Sequence, residues 1–152
     1  MSKLELDAVD WRILAELQRD ARLSSAALGR RVHLSAPAVA ARVRRLEDGG
    51  VIVAYRVELN MRMLGFAVLA FVRVRPATGG ERGLAEAVAA APAVLECHHV
   101  TGDDCFIAKV AADSVEHLEG IVAELGRFGS TTTSIVFSTP VGGRVVDRPS
   151  RA

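Results

Sequence analysis

Between Ala21 and Leu46 the chain carries six arginines, Arg22, Arg30, Arg31, Arg42, Arg44 and Arg45, and neither Asp nor Glu. Guanidinium forks with no carboxylate nearby in the chain suit phosphate oxygens, which they hold through two parallel N–H donors. The basicity is local: ten basic and eight acidic residues precede the cut at Asn60, and nine and ten follow it. A net charge of +1 over 152 residues excludes a protein that coats nucleic acid with its whole surface. The excess of Arg over Lys, 17 to 2, reads in an Ala- and Gly-rich chain as a GC-rich genome rather than as selection for forks.

A second group of reactive side chains is Cys97, His98, His99 and Cys105. In a strand, Cys97 and His99 share one face, and a hairpin can bring Cys105 to it. The spacing matches no zinc signature, and a small buried thiol is the commoner fate of such cysteines, so we expect no metal and no cofactor. Two cysteines this close in the chain form no secreted disulfide framework, and a reducing compartment fits them. Asp103 and Asp104 are neighbours in a turn, where carboxylates diverge, so we read them as turn formers and not as a catalytic pair. With no phosphate loop, nucleophile elbow or metalloprotease helix, the chain is not expected to be an enzyme.

The elements that position these residues are legible from periodicity and caps. Val9, Ile13, Leu14 and Leu17 recur at helical spacing behind Asp7, a natural cap, and predict a helix over 7–17. Ser24 or Ser25 caps a short second helix to about Val32, with Ala27, Leu28 and Val32 inward. After His33-Leu34, Ser35 caps a third helix with Pro37 in its first turn; Val39, Val43 and Leu46 form its buried stripe and Gly49-Gly50 ends it. Three short helices with a tight second connection are the helix-turn-helix pattern, in which the third lies in the major groove of double-stranded DNA. Ser35, Ala36, Pro37, Ala38, Ala41, Arg42, Arg44 and Arg45 are then the expected DNA-facing residues. The alanines offer methyl groups to thymine but no bidentate bonds to base edges, which predicts modest direct readout, helped by DNA shape. A helical head that contacts protein is the competing reading, which a shallow salt dependence would reveal.

Val51–Leu59 alternates loosely and reads as a linker strand, placing a boundary near Asn60 between a DNA-binding domain (1–60) and a second domain (61–152). There, strands over 66–75, 94–101, 106–111 and 131–138 alternate with helices over 81–90 and from a capping box at Asp113 and Glu116. The order β-α-β-β-α-β is that of a ferredoxin-like sandwich, so the fold expected is α+β, a helix-turn-helix of winged type followed by that sandwich. Both faces of the 66–74 strand are apolar. Its helices cover one face, which predicts an obligate homodimer, open to assembly into a tetramer or octamer. No run of eighteen apolar residues and no secretory leader is present, so a soluble cytoplasmic protein without membrane contact is expected. The terminal GGRVVDRPSRA stretch reads as mobile, or as an arm over a neighbour.

Over nearly its whole length the chain resembles the Lrp/AsnC family, the feast/famine regulators. The matching stretches are LDAVDWRILAELQRDARLS from Leu6, LSAPAVAARVRRLEDGGVI from Leu34, ECHHVTGDD from Glu96 and TTTSIVFS from Thr131. The resemblance implies a transcriptional regulator whose second domain dimerises and holds an amino acid or related metabolite between dimers. It places that effector near His99, Thr101, Gly102, Asp103, Asp104 and Cys105 of the hairpin and near Thr131 and Thr133. This sequence departs from the family in the hairpin. Gly-x-x-Asp is usual there, and Cys105 stands where the acid would pair with an ammonium group.

Overall fold

The computed structural model describes residues 4–102 and 106–149. Within them the chain divides into two compact units, 4–58 together with 141–149, and 59–140. The terminal segment, assigned from the sequence to the second domain, is thus grouped with the first unit.

The first unit is three helices, α1 (Ala8–Arg19), α2 (Ser25–Val32) and α3 (Ala36–Asp48). Each has a polar side chain on its first-turn amides: Asp7 accepts from Val9 and Asp10, Ser24 from Ala27, and Ser35 from Ala38. Between α2 and α3 the chain reverses through His33 in the left-handed region (φ 61°), while the Leu34 N–H donates to the Gly29 carbonyl at 2.9 Å. A Cβ on Gly29 would stand 2.5 Å from the Leu34 oxygen, so the tightness of this turn requires glycine. Ile13, Leu28, Val32, Val39 and Leu46 form the buried centre, with Leu14, Leu17, Val43 and Ile52 packed around it.

Residues 51–59, expected as a strand, form no ladder with any described residue. An extended segment becomes a strand only when a neighbour takes its amides and carbonyls, and none of the described residues does so. Val53, Val57 and Leu59 are exposed in consequence.

The second unit opens with a 3-10 turn (Met61–Leu64) and contains β1 (Val68–Pro76), α4 (Glu81–Ala90), β2 (Val94–His99), β3 (Phe106–Ala112), α5 (Val115–Gly126) and β4 (Gly129–Ile135). The strands form one antiparallel sheet in the order β2-β3-β1-β4, the arrangement expected of the split βαβ pattern. Ala70, Val72 and Val74 of β1 alternate with outward residues, and with Phe106, Ala108 and Val110 of β3 they bury against Leu84, Val88, Leu118 and Leu125 of the helices. The other sheet face carries Leu69, Phe71 and Ile107 among Arg73, Arg75 and Lys109.

Two local expectations need correction. The last strand runs Gly129–Ile135 and not 131–138, because Gly129 pairs with Pro76 so closely that its would-be Cβ overlaps the Arg75 carbonyl. The cap of α5 is Ser114, whose hydroxyl accepts from the His117 amide at 3.1 Å, instead of an Asp113–Glu116 box. Asp113 turns to the His117 ring, 3.0 Å away.

Candidate DNA interface and effector strands

In the DNA-binding unit the expected arginines divide into two groups. Arg42 donates through Nη1 to Asp7 Oδ2 (2.7 Å) and Asp10 Oδ1 (2.8 Å), and Arg45 donates through Nη2 to Asp10 Oδ2 (2.5 Å). Arg31 donates to Glu16 at 2.7 Å. Arg22, Arg30 and Arg44 are exposed and form no ion pair among the described residues. Arg42 and Arg45, expected as outward phosphate contacts, are therefore held on the start of α1. The acid-free stretch conceals these pairs, because the carboxylates that engage Arg42 and Arg45 lie more than thirty positions earlier in the chain.

Asp10 is the residue that sequence reasoning missed. It is wholly buried, yet each of its oxygens is occupied, Oδ1 by Arg42 and Oδ2 by Arg45 and the Asp7 amide at 3.0 Å. A buried carboxylate is tolerable only when paired and hydrogen-bonded in this way. The signal was available: Asp10 occupies the first place of the i, i+3, i+4, i+7 stripe completed by Ile13, Leu14 and Leu17, where a polar residue needs an explanation. Asp7 is fixed from two directions. The Asp10 amide and then the Arg42 guanidinium, with a smaller contribution from the Val9 amide, hold its carboxyl down at about 2. The Asp7 carboxylate first, and then that of Asp10, pushes the Arg42 guanidinium further up.

The start of α3 remains open. Ser35, Pro37 and Ala41 are exposed, Ala36, Ala38 and Ala40 half-buried, and Arg44 projects from the next turn. This surface presents amides, methyl groups and one free guanidinium, suited to close approach along a groove wall. At the far end of α3, the Tyr55 hydroxyl donates to Glu47 at 2.9 Å and fixes the departing chain. Burial first, then the neighbouring carboxylate, pushes the Tyr55 phenol up to about 12.

The effector candidates of the second unit share one line across the sheet. His99 pairs with Phe106, Phe106 with Val74, and Val74 with Thr131, so the four side chains lie on the same face. His99 stacks on Phe106 with centroids 4.7 Å apart. But β2 and β4 are the two edges of the sheet, and three strand spacings put His99 and Thr131 about 14 Å apart. Thr133, opposite Val72, is one step further along β4. Thr101 and Gly102 are exposed after β2, Gly102 with φ 107°; Asp103, Asp104 and Cys105 lie outside the described residues.

Cys97, opposite Ala108, lines a cavity of about 440 Å³ with Val88, Glu96, His99 and Phe106, and burial pushes its thiol up. Glu96 has its carboxyl lowered by Lys109, 2.9 Å away, and then by His98. Among the described residues no three His, Cys, Asp or Glu side chains are grouped to hold a metal ion. No helix is long and apolar enough to cross a membrane.

A capped three-helix head with a tight second turn, followed by a βαββαβ sheet domain, defines a helix-turn-helix regulator with a separate sensing module. Comparison with known families agrees at both ends of the chain. Residues 6–47 match the AsnC-type helix-turn-helix domain and residues 69–146 the Lrp/AsnC ligand binding domain. The chain belongs to the Lrp/AsnC family of transcriptional regulators. It is 32% identical to the HTH-type transcriptional regulator LrpC of Bacillus subtilis, over 89% of this chain and 94% of that one. It is 37% identical to the leucine-responsive regulatory protein of Rhizobium meliloti, over 80% of each. The solved structure of Bacillus subtilis LrpC superposes with a TM-score of 0.88 at 31% identity, covering 92% of this chain and all of that one. A transcriptional regulator of Neisseria meningitidis solved with L-Met shares the fold at a TM-score of 0.87 and 24% identity, covering 95% and 97%. These relatives carry the names of transcriptional or regulatory proteins.

Proposed function

We propose that this chain regulates transcription as a homodimer, or as a tetramer or octamer built from dimers, and that an amino acid or related metabolite bound between chains modulates it. The carrying observation is the shared line of His99 and Thr131 at opposite sheet edges. An amino acid is far shorter than about 14 Å, so one ligand can touch both residues only if they come from different chains. The open sheet face with Leu69, Phe71 and Ile107, and the exposed Val53, Val57 and Leu59, supply apolar surface for such an assembly. The Neisseria relative solved with L-Met makes amino acids the first ligands to try. Action on DNA, and described helices none of which is long and apolar enough to cross a membrane, support a cytoplasmic location.

On the DNA side, the open start of α3, Ser35, Ala36, Pro37, Ala38 and Ala41, lies along the groove, and Arg44, with Arg30 and Arg22, meets phosphates. Arg42 and Arg45 act mainly by holding α3 on α1. Readout of bases by this alanine-rich surface is modest, and DNA shape supplies the rest.

The test is complementation. His99→Ala and Thr131→Val variants are each screened by thermal shift against the twenty amino acids and common keto acids, alone and after mixed refolding. Each alone should lose the stabilisation seen in the parent protein, and an equal mixture should recover about a quarter of the sites, since half the partners on each side are intact. Full stabilisation of either single variant overturns the shared site. A monomer in light scattering at micromolar concentration overturns the assembly.

A further inference from the structure

The departing and returning ends of the chain meet beside α1. Trp11, Leu14, Leu17 and Gln18 of the helix, Ala21 just beyond its end, residues 51–56 of the linker, and Val146 line a groove of about 490 Å³. Gln18 closes it. Its side-chain amide donates to the Val146 carbonyl at 3.2 Å, and its side-chain oxygen accepts from the Val146 amide at 2.8 Å. Those are the two bonds that a neighbouring β-strand would make to one residue, so Gln18 reads main chain and not the valine side chain. The same Nε2 also donates to the Leu14 carbonyl one turn earlier at 3.2 Å, which holds the amide plane in place for its partner.

The segment so held is continuous with the sheet domain. After β4 ends at Ile135, the Val136 amide still donates to the Leu69 carbonyl at 2.8 Å, and ten residues later the chain reaches Val146. The first unit is therefore joined to the sheet domain by the linker and by a second segment whose end is secured by hydrogen bonds. The linker is itself anchored through Tyr55 on Glu47.

We propose that residues 141–149 are a strap: this chain's own C-terminal arm docks in the groove on α1 through Gln18, and the docked arm restrains the DNA-binding head from the β4 side. Three consequences follow from the physics. A single amide fork on an exposed helix is a releasable latch, because net hydrogen-bond energies at a surface are small. Release frees the head from one of its two connections without touching any DNA contact. The strand that bears Thr131 and Thr133 leads directly into the strap, so a displacement of β4 is delivered to α1 along a chain path that does not use the linker.

The experiment uses the full-length protein and two exposed-helix variants that keep good helix formers, Gln18→Ala, which removes both bonds, and Gln18→Glu, which keeps the acceptor and loses the donor. Trypsin cleavage after Arg144, two residues before the docked Val146, measures how often the arm is free, since cleavage of a rapidly opening segment follows its open population. Cleavage after Arg144 should be about fivefold faster in Gln18→Ala than in the parent, with Gln18→Glu between them. A thermal midpoint matching the parent shows that the head remains folded. Equal cleavage rates in all three proteins overturn the docking, and they do so without reference to DNA. The restraint is read separately: the Kd of Gln18→Ala for a binding duplex should rise about threefold, as expected when only part of the population presents a restrained head. The slope of affinity against salt should stay as in the parent, because no phosphate contact is lost. A freed arm with an unchanged Kd overturns the strap, as does a reduced salt slope, which would place Gln18 among the DNA contacts.

Discussion

The two units treat their polar side chains in opposite ways. In the first, a buried Asp10 gathers Arg42 and Arg45 from α3 and the Asp7 amide from its own helix, so the head is wired within one chain. In the second, His99 and Thr131 share a line across the sheet but stand on opposite edges, and no single chain brings them together. The head is thus preorganised before it meets DNA, whereas the proposed effector site would draw on a second subunit. A regulator built this way can hold its DNA-reading surface constant and let association and ligand set how many heads are presented.

The largest expected effect is on Asp10. Asp10→Ala leaves Arg45 without its partner and Arg42 with Asp7 alone, and because both arginines are partly exposed the cost falls below that of a fully buried pair, at about 2 kcal/mol. That corresponds to a loss of roughly 10 °C in the melting of the head by calorimetry. An unchanged midpoint would show that the wiring contributes nothing and would erase the contrast between the units.

Next comes the division among the arginines. Arg44→Ala should leave the thermal midpoint in place, weaken DNA binding at all sequences alike and lower the salt slope by about one. Arg42→Ala should do the reverse, destabilising the head with less change in slope. If Arg42→Ala lowers the slope as much as Arg44→Ala, the guanidinium leaves Asp7 and Asp10 for phosphate on binding, and the head is less fixed than its free structure.

Ser35→Ala removes the cap at the DNA-facing end of α3 and should cost about 1 kcal/mol of stability, read by urea unfolding. The smallest effect is that of pH on Asp7. Its carboxyl is depressed in the folded state from 3.8 to about 2, so its contribution is complete above the unfolded value and fades as pH falls toward about 2. The stability difference between the parent protein and Asp7→Asn should therefore be constant near neutrality and shrink from about pH 4 downward. A difference that does not shrink on acidification would show that the carboxylate charge is not what separates the two proteins, since Asn keeps a capping oxygen.

Much of this architecture was legible in the chain. Asp7, Ser24 and Ser35 announce their helices because a cap acts on amides two or three residues away. The order of strands and helices followed from alternation and turn residues, and the family motifs from four stretches of sequence. Less legible were strand ends, where Gly129 pairs ahead of the expected Thr131, and the 51–59 segment, whose pattern promises a strand for which the described residues hold no partner.

The sequence by itself determined the local elements, their order and the family, since each depends on periodicities and side-chain bonds that act within a few residues. Only the tertiary structure decided which arginines are free, why an aspartate sits on an apolar stripe, that His99 and Thr131 lie on opposite edges, and that Gln18 grasps Val146. These depend on contacts between residues 32, 35 and 128 positions apart, or on the order of strands in a sheet. Such pairings are set by how the cores pack, and no periodicity in the chain records them.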